Sequence, residues 1–324
     1  VKNCVAVTGA AGFVGRALTA HLVREGYRVR ALVRDWEGPT AAGAERVVVP
    51  GLTDPSVVHQ AIDGCACVFH TAGLAHRPDD GSERALARFR EGIVGPTSTV
   101  LDAIAKGGAG ALVVLSSVAA VRSSDPSPIT DLTPPAPGTA YGLAKLEADA
   151  LVAERARSDG FAAVVLRPPA LYGAGMRGNP LRLFNLVRRG FPLPVGRVQN
   201  QRSMMYVDNL VVACAAAWRC GLRGIFLISD PVPHSTAEWA RLIASALGVR
   251  PRVYGLSPRL LVLAARLAAC VPVSAISRGA AQLDRLVGSV HVVDEAFRRA
   301  LPAPLPCVDE REALARTADW FVGS

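Results

Sequence analysis

Three glycines spaced three apart, Gly9, Gly12 and Gly15, join an apolar run at residues 5–7 to a helical rhythm begun by Arg16, Leu18 and Leu22. The stretch reads "VAVTGAAGFVGRALTAHL", a strand turning directly into a helix. Such a corner is either a tight turn alone or a place where an anion must approach the backbone. A helix start offers unpaired N–H groups and the positive end of a dipole, which suit a pyrophosphate. A side chain at any of the three positions would obstruct the turn, the ligand's approach or the packing of helix on strand. The spacing is G-x-x-G-x-x-G rather than the G-x-G-x-x-G of dehydrogenases, so the corner alone does not decide between the two readings.

Further along, apolar strand patterns at 3–8, 28–33, 46–49, 66–70, 111–116 and 162–167 alternate with helical patterns at 12–25, 55–62, 83–106 and 140–157. Apolar strands separated by helices predict an α/β fold, a doubly wound parallel sheet covered on both faces. Sheets of this kind bind ligands beyond the carboxyl ends of their strands, where the strand order reverses. A site residue should therefore fall just after a strand. Past Pro168 the chain becomes rich in Pro, Gly and Arg and reads as loops around one helix. A strand at 224–229 should return to the sheet. The next segment, "HSTAEWARLIASALG", reads as a helix opened by a Ser235/Glu238 capping box and ended by Gly248. The remainder is predicted helical, giving a smaller, mostly helical lobe over the carboxyl edge of the sheet.

Composition narrows the partners. The net charge of +9 comes from scattered arginines without a Lys/Arg block, which argues against nucleic acid and fits a solvated surface or a small anionic ligand. Seven cysteines, an odd number without a C-x-x-C, fit a reduced, cytoplasmic protein with buried thiols. The histidines show no ligand spacing with them, so no metal is expected. No basic-then-apolar leader precedes the first strand, and a signal peptide is not expected. The most membrane-like piece, 260–276, contains Arg266 and Pro272 and is short for a span of ~20 residues. It reads as a buried or partner-packing helix, with no membrane span.

The chemistry gathers on "AYGLAK", where Tyr141 and Lys145 lie four residues apart, hence on one face of a helix. A nearby ammonium stabilises phenolate and should lower the tyrosine from its reference near ~10. Such a phenol can pass a proton while hydride moves to or from a nicotinamide. The fifth strand ends "VVLSSVAAV", which puts Ser116 and Ser117 at the carboxyl edge, where a hydroxyl can orient a substrate oxygen. The second strand ends "ALVRD"; Arg34 stands where an acid would bind the ribose of NAD, and it favours NADP over NAD by clamping a 2′-phosphate.

With these motifs in this order, the sequence resembles the extended short-chain dehydrogenase/reductases, the NAD(P)-dependent epimerase/dehydratase group acting on nucleotide sugars. "TGAAGFVG", "VFHTAG", "LSSVAAV", "AYGLAK", "LRPPALYG" and "QRSMMYVDNL" follow in the family's order. The likeness is greatest to bacterial polysaccharide-pathway enzymes resembling UDP-hexose 4-epimerases and UDP-sugar 4-ketoreductases. It implies a Rossmann domain over residues 1–170, with 206–229 returning to it, and a substrate lobe from 171–205 and 230–324. It also implies that Tyr141 is the acid/base, that Lys145 lowers its pKa and holds the nicotinamide ribose, and that Ser117 binds the reacting oxygen. Thr8, Gly9, Gly12, Phe13, Val14, Gly15, Arg34, Leu52, Thr71, Ala72, Gly73, Ser116 and Pro168 would line the cofactor. Asn179, Arg202 and Arg285 would contact the nucleotide sugar, with Arg202 on its diphosphate. A homodimer through the helices at 83–106 and 140–157 is usual for such proteins.

Three positions depart from the family: Gly51 replaces an acid near the adenine, Gly92 an asparagine of the middle helix, and Val121 a tyrosine four residues past the catalytic serine. Dehydration is disfavoured, because Val118 and Ala119 stand where dehydratases of the family carry an acidic pair. That leaves C4 epimerisation or C4 reduction of a UDP-hexose, and Arg34 tilts the choice to reduction. The alternatives are reduction of a non-nucleotide ketone, since "GYRVRALVRD" also resembles the dihydroflavonol reductases, and a catalytically silent dinucleotide sensor.

Overall fold

The computed structural model describes residues 2–35, 41–75, 77–255 and 288–324. Its main element is a seven-stranded, wholly parallel sheet of β1 (Lys2–Thr8), β2 (Tyr27–Val33), β3 (Glu45–Val48), β4 (Cys67–His70), β5 (Ala111–Leu115), β6 (Ala162–Arg167) and a late strand, β9 (Gly224–Leu227). The strand order is β3-β2-β1-β4-β5-β6-β9. The order reverses beside β1, so a crevice opens between the carboxyl ends of β1 and β4.

Burial on both faces explains the apolar strand runs. In β1, Val5 and Val7 enter one core with Val29, Ala31 and Phe69, while Ala6 enters the other with Leu32, Val68 and Leu112. The first face is covered by α1 (Phe13–Arg24) and α7 (Val207–Arg219). The second is covered by α2 (Pro55–Ile62), α4 (Gly95–Ala105) and α5 (Ala140–Asp159). Asp54 and Thr139 cap α2 and α5 with their side chains, and Gly160, at φ +77°, ends α5.

The pattern at 83–106 does not form one helix. It divides into α3 (Glu83–Phe89), a π-turn (Arg90–Val94) and α4. Pro96 explains the break, since it has no N–H to give to the Gly92 carbonyl one turn back. That carbonyl instead accepts Leu74 N at 3.1 Å, and Gly95 N bonds to Arg90 O.

Past β6, two three-residue strands stand where the sequence reads as loop. These are β7 (Ala170–Tyr172) and β8 (Met204–Tyr206), which pair in parallel on either side of α6 (Gly178–Arg188). The capping-box helix is α8 (Thr236–Ala246), followed by Gly248 at φ +66°. A short helix, α9 (Glu295–Ala300), and a longer one, α10 (Glu310–Gly323), complete the described chain. Arg202 bridges to both His234 and Val290, and Ile129 bridges to Val292, so the 288–293 segment ties β8 to the loop after β5. No helix among the described residues is long and apolar enough to cross a membrane. The 260–276 segment, Arg285 and Cys270 lie outside the described residues. Of the other cysteines, Cys65, Cys67 and Cys214 are buried, whereas Cys220 and Cys307 are exposed, so the expectation of buried thiols holds for part of the set.

Candidate active site

The glycine corner is tight at two positions and open at one. Gly9 takes φ +67°, and a Cβ there would lie 2.7 Å from Ala72 N. A Cβ on Gly15 would lie 2.1 Å from Gly9 O. Gly12, the N-cap of α1, has an ordinary φ of −76°, is exposed, and a Cβ on it would meet only Gly9 O at 3.1 Å. No side chain caps α1. Its first N–H groups therefore stand uncapped by any side chain at the sheet's switch point, with the polarity a pyrophosphate needs. Val14 can contribute only backbone to it, because its side chain is in the core.

A chain of hydrogen bonds fixes the neighbouring strand end. Ala72 N donates to Thr8 Oγ1 (3.3 Å), Thr8 Oγ1 meets His70 Nδ1 (2.8 Å), and His70 Nε2 meets Thr97 Oγ1 (3.2 Å). Thr97 donates onward to Ile93 O in the π-turn, and Thr71 Oγ1 donates to Thr8 O. Since the Thr97 hydroxyl proton goes to Ile93, it accepts from Nε2–H, and Nδ1 is left to accept from Thr8. The chain is complete only with neutral imidazole, and burial pushes His70 down to about 3. His70 therefore contributes stability that is fully present above its ordinary value near ~6.5 and is lost as pH falls from there toward about 3. We expect the urea midpoint to fall across that window while the His70 ring resonances stay neutral until the chain unfolds; a His70 that titrates normally in the native state contradicts the assignment.

Ser117 follows β5 and caps a short 3₁₀ turn, its hydroxyl accepting Ala119 N at 3.2 Å. Its hydroxyl also lies close enough to the phenol of Tyr141, in the first turn of α5, to favour the phenolate. The Tyr141 ring packs edge-on against Phe89 at 5.7 Å. Lys145, one turn on, is 8 % exposed, and its Nζ donates to Leu115 O at 2.9 Å. A Cβ on Gly73 would lie 3.5 Å from that Nζ, so the amine borders the Thr71–Gly73 segment. Burial lowers the Lys145 pKa. The phenol moves opposite to the sequence expectation: burial raises Tyr141 to about 12, and the nearby Ser117 hydroxyl only partly opposes this. At neutral pH the chain alone holds Tyr141 as a proton donor.

Two residues here, Asp79 and Asp149, were not anticipated. Asp79 accepts Tyr141 N at 3.0 Å, satisfying a first-turn donor of α5. Asp149 accepts the Ser116 hydroxyl, which is thereby committed within the protein. The carbonyl of buried Pro168 accepts Val118 N at 2.9 Å and fastens the ends of β5 and β6 together. Farther out, Asn179 and Arg202 line an open pocket with Ala170, Leu183, Met204 and Trp239. The Arg202 guanidinium donates to Gly288 O at 2.9 Å, and burial holds it below its ordinary pKa. Arg34 is exposed just past β2, and Leu52 is half-buried against the second core.

Two of the three departures have a packing explanation. A Cβ on Gly92 would lie 2.6 Å from Leu74 Cβ, so the asparagine of the family cannot fit beside Leu74. Gly92→Asn should destabilise by ~1–3 kcal/mol, and adding Leu74→Ala should recover part of the lost Tm. Val121 lies in an apolar cluster with Val118, Ile129, Leu227 and Val292. Gly51 is different: a Cβ there would make only ordinary contact with Thr53, and packing does not account for it.

The sequence pattern of the NAD dependent epimerase/dehydratase family matches residues 5–225. The chain is 29% identical over 254 residues to the UDP-glucose 4-epimerase of Vibrio cholerae, covering 76% of each. It is 30% identical over 264 residues to the ceramide reductase of Caulobacter vibrioides, covering 81% of this chain and 74% of that one. The fold superimposes with a TM-score of 0.75 on the Thermus thermophilus UDP-glucose 4-epimerase solved with NAD, at 23% identity and 99% coverage of both chains. With its strand order, glycine corner and Ser117–Tyr141–Lys145 grouping, the chain belongs to the NAD dependent epimerase/dehydratase family and is an oxidoreductase-type enzyme of it.

Proposed function

We propose that the protein moves hydride between NAD(P) and C4 of a UDP-hexose, as a 4-ketoreductase or 4-epimerase. One observation carries this reading: a phenol close to the Ser117 hydroxyl and one turn from a buried amine lies beyond the same sheet edge as an uncapped helix start. The bound dinucleotide would supply the hydride acceptor or donor, and the residues that fit it are Gly9, Gly12 and Gly15 at the phosphates, Thr71–Gly73 alongside, and Lys145 and Pro168 at the far end. Within the protein, Ser117 orients the reacting oxygen and Tyr141 gives it a proton or takes one away. Residues 1–170 with 206–229 form the dinucleotide-binding part, and 171–205 with 230–324 the substrate-binding part. Arg34 favours NADP. A cytoplasmic homodimer through α3–α4 and α5 belongs to the same proposal.

Arg202 takes the diphosphate in this reading, and Asn179 contacts the nucleotide sugar. Arg202→Ala should raise KM for a UDP-sugar at least ~10-fold while kcat changes less, as expected of a group that binds ground and transition states alike. An unchanged KM removes the diphosphate from that cavity. The second reading, reduction of a non-nucleotide ketone, draws on the cavity's apolar lining of Leu183, Leu186, Met204 and Trp239 and on the ceramide reductase relative. Under it Arg202→Ala leaves KM for the ketone in place.

A further inference from the structure

Asp149 lies on α5 one turn beyond Lys145 and two beyond Tyr141. Its side chain is 1 % exposed, yet it carries a carboxylate. Oδ2 accepts the Ser116 hydroxyl at 2.9 Å and Arg167 Nε at 2.8 Å, while Oδ1 is buried and meets no donor among the described residues. The two partners are strategic. Ser116 immediately precedes Ser117 at the end of β5, and Arg167 immediately precedes Pro168 at the end of β6. One carboxylate thus fastens the helix that carries Tyr141 and Lys145 to both strand ends that frame them.

Burial pushes the Asp149 carboxyl above the ordinary carboxylate range, the Arg167 guanidinium at 2.8 Å and the Ser116 hydroxyl oppose this, and a neutral side chain here would leave Arg167 without its counter-ion. A carboxylate there is explained by its charge. The ionisable groups facing it are Arg167 from β6, Lys145 and Tyr141 from its own helix, and, across Lys145, His70 of β4. β5 adds only the Ser116 hydroxyl. We propose that Asp149 is a positioning residue for the Tyr141–Lys145 pair, supplying the counter-charge to the buried amine while clamping the catalytic helix to the ends of β5 and β6. The proposal rests on the reading of Tyr141 as the proton carrier. The field of Asp149 raises both Lys145 and Tyr141, opposing for the amine the downward pull of burial. It keeps the amine protonated and the phenol a proton donor.

The test needs no substrate for its first arm. Ring-carbon NMR of tyrosine-labelled protein, with Tyr141→Phe identifying the resonance, follows Tyr141 ionisation in the chain alone. Asp149→Asn keeps the shape and can keep both acceptor bonds, so its Tyr141 midpoint should move down by roughly one unit from the wild-type value, and the pH–rate profile should move with it. Asp149→Glu retains the charge and should leave the midpoint within about 0.3 units of wild type even where turnover falls. A folded Asp149→Asn protein whose midpoint stays in place, with a rate profile merely scaled down, overturns the proposal and leaves Asp149 a structural residue. Should the Asn variant not fold, aspartate carboxyl NMR of the wild type decides, with Asp149→Glu identifying the peak. An ionised Asp149 at neutral pH supports the proposal, and a protonated one overturns it. Absence of turnover on every nucleotide sugar would defeat the functional reading above while leaving the tyrosine titration to judge Asp149.

Discussion

Tyr141→Phe should lower turnover by ~10²- to 10⁴-fold while the protein folds almost as before. The two halves of that expectation have separate causes. The ring's edge-on contact with Phe89 survives the substitution, and only the polar contact with the Ser117 hydroxyl is lost, which costs at most about 1 kcal/mol. Loss of the hydroxyl leaves no group in the Ser117 pair able to exchange a proton near neutral pH, because a serine hydroxyl does not ionise there. The phenol at about 12 also sets a pH signature for the wild type. Burial keeps it protonated through the neutral range, so the reductive direction should be flat across neutral pH and decline only toward the alkaline end. The oxidative direction, which needs the phenolate, should rise with pH over the same range. Steady-state rates in both directions, beside a thermal melt, check all three statements. Retained turnover in Tyr141→Phe would place the proton transfer elsewhere.

The glycine corner gives the second large effect, and it differs among chemically identical substitutions. Gly9→Ala forces a left-handed backbone on alanine and drives a methyl to 2.7 Å from Ala72 N; Gly15→Ala drives one to 2.1 Å from Gly9 O. Both obstacles are backbone, so both variants should lose at least ~3 kcal/mol or fail to fold. Gly12→Ala has an allowed φ and needs Gly9 O to yield by only a few tenths of an ångström, so its Tm should stay within a few degrees of wild type. Its methyl nevertheless covers the open start of α1, and dinucleotide affinity should fall ~10-fold or more. Calorimetric titration with NAD and NADP, beside melts of all three variants, reads both effects. Equal behaviour of the three would mean that the corner is a turn and nothing else.

Much of this was legible because the strands are buried on both faces. Continuous apolar runs such as residues 5–7 leave little choice of partner, and five of the six early strands begin or end one residue away from their expected limits, with β6 matching at both ends. The capping box at Ser235 and Glu238 was equally readable, since it depends on residues three apart. The misses came where the decisive partner is distant in sequence. The π-turn required knowing that the Gly92 carbonyl would bond to Leu74 N, although Pro96 inside the periodic stretch was the available signal. At three residues each, β7 and β8 are too short for alternation to register. Asp149 carried no signal beyond an acid on a helix, because its meaning comes from Ser116 and Arg167, 33 and 18 residues away. The direction of the Tyr141 shift was missed for the same reason. Spacing reveals that Lys145 is close, but the burial and the Asp149 charge that raise the phenol are properties of the assembled site.

The most direct test of the central claim is proton NMR of UDP-glucose, UDP-N-acetylglucosamine and a 4-keto UDP-sugar incubated with the protein and reduced or oxidised dinucleotide. A change confined to C4 is expected in at least one of them, lost in Tyr141→Phe. Unaltered spectra for all three, with reduction of a ketone that carries no nucleotide, would contradict that claim.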